Sequence, residues 1–112
     1  GREARAAVQT GEVNMAVIRQ WPRVLWIDAR SEEAFDTAHW PGSVNLSFQA
    51  WETQIGSFMH RWTPGDRIVV YCDDASCASS EEVARRLRQE YDLPEVYVLK
   101  AGWHVLAKEM QP

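Results

Sequence analysis

The sequence predicts an α/β fold, an open and mainly parallel sheet of about five strands with helices on both faces. Three short apolar runs are the first observation: Val24-Leu-Trp-Ile27, Ile68-Val-Val-Tyr71 and Val96-Tyr-Val-Leu99. None alternates cleanly, so each reads as a strand buried on both sides, as parallel sheets require. Helical patterns between these runs are the second, because strand and helix alternating through a small domain build such a sheet. Turn signals are the third, at Trp21-Pro22, Trp40-Pro-Gly42, Thr63-Pro-Gly-Asp66 and Leu93-Pro94.

In chain order, a short strand is expected at Glu12 to Asn14, then the strand ending at Ile27. Ser31-Glu-Glu-Ala-Phe35 opens a helix with a capping serine and first-turn acids. A short strand from Ser43 to Leu46 follows the Pro41-Gly42 turn. A helix from Trp51 to about Met59 would place Trp51, Ile55, Phe58 and Met59 on one face. The strongest helix begins at Ser79 and runs to Tyr91. Ser79 and Glu82 have capping-box spacing, and Val83, Leu87 and Tyr91 form its inward stripe. Its acids come early and its arginines late, which suits the helix dipole.

The 112 residues suit one domain, with a core from about Glu12 to Lys108, and no repeat, low-complexity tract or linker interrupts them. A net charge of −4 argues against nucleic acid or an anionic membrane as partner. No apolar stretch approaches the roughly 18 residues needed to cross a bilayer, so membrane insertion by this domain is not expected. No signal peptide is visible, and a start at Gly1 rather than Met leads to the expectation of a processed form or of a domain cut from a longer protein. Localisation stays open on these grounds, with the cytoplasm the default expectation. Two cysteines are too few for a disulfide scaffold. The tryptophans at 21, 26, 40, 51, 62 and 103 are dispersed and read mostly as core or groove walls.

Cys72 is the residue that points to chemistry. It ends the run Arg67-Ile-Val-Val-Tyr-Cys72, and a helix opens at Ser79. A cysteine between a strand's carboxyl end and a helix N-terminus sits among backbone N–H groups and the positive end of a dipole, which stabilise a thiolate. Ligands of open α/β sheets bind at this end, where Asp28 also lies. The following Asp73-Asp-Ala-Ser-Cys-Ala-Ser79 is too hydrophilic for core and suits a loop whose amides cradle an anion. Asp73, Asp74, Ala75, Ser76, Ala78 and Ser79 are therefore the expected substrate-binding residues.

Ile27-Asp-Ala-Arg-Ser-Glu-Glu-Ala-Phe35 followed by His39-Trp-Pro-Gly-Ser-Val-Asn45 resembles the first signature of rhodanese domains. Val69-Val-Tyr-Cys72 looks like that family's strand leading to its catalytic cysteine, and Val96-Tyr-Val-Leu-Lys-Ala-Gly-Trp103 like its closing strand. The resemblance implies a sulfurtransferase: Cys72 takes up a sulfane sulfur as a persulfide and passes it to a nucleophile. No cofactor or metal is implied. The donor would be a small sulfur compound or a protein persulfide, with a protein as the candidate sulfur acceptor. Asp28 and Arg30 would tie the first strand's end to neighbouring turns, and His39 would shape a turn rather than move protons.

The chain departs from the family's pattern in its loop, which is about two residues longer than usual and has no Arg or Lys. One carboxylate at roughly 6 Å costs a thiolate about 0.7–3 kcal/mol, and a helix terminus returns about 0.3–2 kcal/mol. The missing cation disfavours thiosulfate, a dianion, so weak thiosulfate activity at best is expected. Cys77 is the second departure. It reads as a loop filler, as a resolving thiol that closes a disulfide with Cys72, or as the sulfur acceptor, and helix-based alignment even permits it as nucleophile. Cys72 ranks first because a strand end holds its geometry. Zinc on Cys72 and Cys77 with His60 or His104 is disfavoured, since Cys-x4-Cys is loose and no paired histidines accompany it. A phosphatase would need Cys-x5-Arg, and position 78 is alanine. Two further readings compete with sulfur transfer: a non-enzymatic interaction or regulatory module, and a thiol-redox relay through Cys72 and Cys77.

Overall fold

The computed structural model describes residues 11–74 and 77–111. Its elements are β1 (Glu12–Val13), α1 (Met15–Ile18), β2 (Val24–Asp28), α2 (Glu32–Thr37), β3 (Val44–Asn45), α3 (Trp51–Arg61), β4 (Arg67–Tyr71), α4 (Ser79–Glu90), β5 (Val96–Leu99) and α5 (Trp103–Met110). The strands form one sheet in the order β1-β5-β4-β2-β3, with every neighbouring pair parallel. The predicted open α/β sheet with helices on both faces is the observed architecture.

The three apolar runs form the central strands, and alternate residues of each serve opposite faces. Leu25, Ile27, Ile68, Val70, Val96 and Val98 join one core, with Trp51 and Phe58 of α3 and Val83, Ala84 and Leu87 of α4. Trp26, Val69, Tyr71, Tyr97 and Leu99 join the other, with Ile18 of α1 and Leu106 of α5. Both sides of the strands are buried, which explains the lack of polar alternation. The two-residue edge strands β1 and β3 leave little unpaired backbone for another chain to pair with.

Side chains cap two of the five described helix starts, the expected one at Ser31 and an unforeseen one at Asn14. Ser31 Oγ accepts from Ala34 N at 3.2 Å to cap α2, and Asn14 Oδ1 accepts from Val17 N at 3.0 Å to cap α1. Two expectations need correction. Ser79 is the first residue inside α4 rather than its cap, so the Ser79–Glu82 capping box does not form. The flanking residue is Ala78, whose φ of −87° and ψ of −10° are helical and offer no side-chain bond. Met59 is exposed rather than inward, because the buried face of α3 is held by Trp51 and Phe58.

Candidate functional site

The site is built from the carboxyl ends of β2 and β4, adjacent strands in which Asp28 lies opposite Tyr71. Asp28, the last residue of β2, is fully buried. A buried carboxylate needs partners, and it has them in abundance. Arg30 Nε donates to Asp28 Oδ1 at 3.0 Å, Arg30 Nη2 to Oδ2 at 2.7 Å, and the Arg30 amide to Oδ1 at 2.9 Å. The Tyr71 hydroxyl donates to Oδ2 at 2.9 Å. Arg30 also reaches across to donate to the Ala38 carbonyl at 2.6 Å. Asn45 donates to the carbonyls of Asp28 and Arg30 at 2.9 and 3.0 Å, which pins β3 to the same knot. Asp28 and Arg30 thus have the tying role the sequence suggested. His39 lies in the turn beyond, its ring stacked on Phe35 and its Nδ1 2.7 Å from the Phe35 carbonyl.

Above this floor lie two loops that sequence reasoning did not connect. The β5–α5 joint presses on the segment after β4: Trp103 N donates to the Cys72 carbonyl at 2.7 Å. Gly102 makes that approach possible. Its φ is +68°, and a Cβ there would fall 2.6 Å from the Cys72 carbonyl oxygen. The Trp103 ring stacks against Tyr71 and lies 4.4 Å from the Arg30 guanidinium carbon. The loop has no basic residue, yet Arg30 supplies a cation from just beyond the end of the neighbouring strand β2. Burial works against the Arg30 charge, but bonding to Asp28 and the fields of Asp28, Tyr71 and Asp73 outweigh it and raise its pKa. The positive-φ glycine before an aromatic was the available sequence signal for this joint.

Cys72 follows β4 directly and is buried rather than open to an external sulfur donor. Its sulfur is bonded to that of Cys77, with the Cα atoms 6.3 Å apart, within the usual span of a disulfide. No free cysteine remains. This overturns the expectation of a sulfurtransferase working through a catalytic Cys72, weak thiosulfate activity included. Persulfide formation begins with thiolate attack on sulfur, and a sulfur already in a disulfide has no thiolate to attack with. The reading of this domain as a sulfurtransferase enzyme falls with it.

The other loop residues are arranged around this bond. Asp73, Asp74 and Ala78 are exposed, while Cys77 and Ser79 are half-buried. Ala75 and Ser76 lie outside the described residues. The Cys77 amide donates to the Asp74 carbonyl at 3.1 Å, so it is not free to serve an anion at Cys72. No group of three or more His, Cys, Asp or Glu residues fit to hold a metal occurs among the described residues. Nor is any described helix long and apolar enough to cross a membrane. A cleft of about 450 Å³ between α2, β3 and α3 is lined by Phe35, Asn45 and Arg61 among others, and none of its described walls comes from the disulfide loop.

Residues 14–109 match the family model described as a rhodanese-like domain. No curated protein matches the chain. Among solved structures, the crystal structure of the BH2092 protein from Bacillus halodurans is similar, with a TM-score of 0.69 at 20% identity. The alignment covers 96% of this chain and 81% of that one, and at such identity it speaks for the fold alone. With the strand order, the strand-end loop and the match over residues 14–109 in agreement, the chain belongs to the rhodanese-like domain family.

Proposed function

We propose that this domain is a redox-responsive regulatory module in which Cys72 and Cys77 interconvert between a disulfide and two thiols. The single observation that carries the reading is their bond at the carboxyl end of β4. Cys77 is the more exposed of the two, so its thiolate is the one to meet an external disulfide. It attacks one sulfur and releases a thiolate, and Cys72 then displaces the second thiolate to close the protein disulfide. The external disulfide gains the two electrons that the two cysteines lose.

The change reaches the surface through the loop. Asp73, Asp74 and Ala78, with Ala75, Ser76 and Ser79 beside them in sequence, form the proposed partner-facing segment. A protein partner with a basic surface would meet the exposed aspartates in one redox state better than in the other. A cytoplasmic setting suits the proposal, because disulfides there are mostly transient and redox-sensing.

Free thiols titrated across a series of thiol–disulfide buffers provide the test. Two thiols are expected to appear together, with a midpoint between about −180 and −300 mV. In Cys72→Ser the two-thiol step should vanish, and Cys77 should stop at a mixed disulfide with the buffer thiol, seen as a mass adduct under oxidising conditions. A bond that stays closed well below about −300 mV would be a permanent staple, and the proposal would fall.

A further inference from the structure

A groove runs along the solvent side of α4 from the residue after Cys77. Ala78, Glu81, Glu82 and Arg85 line its first compartment, of about 310 Å³. Glu81 and Arg85 also wall a second compartment of about 290 Å³, closed by Gly11, Glu12, Arg88 and Val98. Positions 78, 81, 82, 85 and 88 repeat at helical spacing, so one stripe of α4 forms both walls. Each compartment is close to the lower end of the size range of small-molecule sites.

Glu12, at the far end of the groove, pairs with Lys100 at 3.2 Å, but the arginines of the α4 stripe have no carboxylate partner among the described residues. Neither Arg85 nor Arg88 is ion-paired among the described residues, although Arg86 pairs with Glu90. Glu81 and Arg85 stand four apart on one face, the spacing that usually pairs opposite charges, yet they are not paired with each other. Arg88 donates from Nε and Nη2 to the Val96 carbonyl at 3.1 and 2.7 Å, which holds its guanidinium against the sheet edge. A Cβ on Gly11 would collide with that guanidinium, so backbone closes over it. Burial lowers the Arg88 pKa, the mark of a cation short of counter-charge.

We infer that this groove binds a small zwitterionic thiol bearing carboxylates, of the glutathione class, and presents its sulfur to Cys77 as reductant of the disulfide. The inference rests on the redox reading above. The two guanidiniums take carboxylates, Glu81 and Glu82 take an ammonium, and Ala78 places the thiol end beside Cys77. The thiolate attacks the Cys77 sulfur, and Cys72 leaves as a thiolate. A second thiol then attacks the bound ligand's sulfur, releasing the oxidised ligand dimer and the Cys77 thiolate. Two thiols lose two electrons and the protein disulfide gains them.

Reduction kinetics of the full chain test it, with glutathione, 2-mercaptoethanol and a phosphine as reductants. Glutathione should act saturably and faster than 2-mercaptoethanol at equal thiolate concentration. S-Methylglutathione, which has no thiol, should slow glutathione while leaving 2-mercaptoethanol alone. In Arg85→Gln and in Glu81→Gln the ratio of the two rates should fall about two- to fivefold, the worth of an exposed ion pair. Arg85→Lys should keep most of it. If the phosphine reduces the disulfide but the two thiols act alike and without saturation, the groove inference is overturned and the redox reading stands. If even the phosphine releases no thiols, both are overturned.

Discussion

Tyr71 shows how much one residue can hold at this end of the sheet. Its hydroxyl donates to Asp28, accepts from the Trp40 amide at 3.0 Å and lies 3.1 Å from Ser43 Oγ. Burial, opposed by the Ser43 bond and reinforced by the Asp28 charge, pushes its pKa up to about 12. The folded protein therefore holds this proton more tightly than the unfolded chain, whose tyrosines titrate near 10. The resulting stability is complete below about pH 10 and is lost as pH rises toward about 12. Tyr71→Phe leaves a buried carboxylate oxygen and an amide short of a partner, which should cost about 1–3 kcal/mol at neutral pH. In urea titrations between pH 9 and 12 the gap between wild type and variant should narrow steadily. A constant gap would mean that Tyr71 titrates alike in both states.

The joint between β5 and α5 is the element that decides how the disulfide loop sits. The sequence offered Gly102 as the close of a strand and Trp103 as a core or groove wall, with no link to Cys72. In the fold, the joint meets the Cys72 carbonyl, and the Trp103 ring bridges Arg30 and Tyr71. Gly102→Ala would demand both a left-handed backbone and a methyl group where the Cys72 oxygen lies. A loss of more than about 1 kcal/mol is expected. Because Trp103 must shift to make room, its fluorescence should change with the substitution. An unaltered denaturation midpoint would show that the joint yields without cost. The α4 start teaches a related lesson: a serine with capping-box spacing was legible, but the chain enters the helix through a helical Ala78 after the disulfide at Cys77.

For the whole molecule, the disulfide is a local tie on a fold that stands on its two apolar cores. It joins residues only five apart in sequence. Closing so short a loop removes little freedom from the unfolded chain, about 2 kcal/mol. Reduction should therefore lower the melting midpoint by about 8–12 °C for a domain of this size. The far-UV circular dichroism at room temperature should not change, since the buried strands and helices make no use of the bond. Collapse of that signal on reduction would show that the tie, not the cores, carries the fold.

What the sequence by itself determined is the layered sheet, the start of α4 at Ser79, and the position of Cys72 beside Asp28 at the strand ends. Apolar runs, caps and turn residues act over a few neighbours, so their consequences are readable from neighbours alone. Only the tertiary structure decided that Cys72 meets Cys77 rather than standing as a free thiol. A five-residue separation permits a loop to swing out or to curl back. The backbone that meets Cys72 comes from Gly102 and Trp103, thirty residues further along, where no local pattern can announce it.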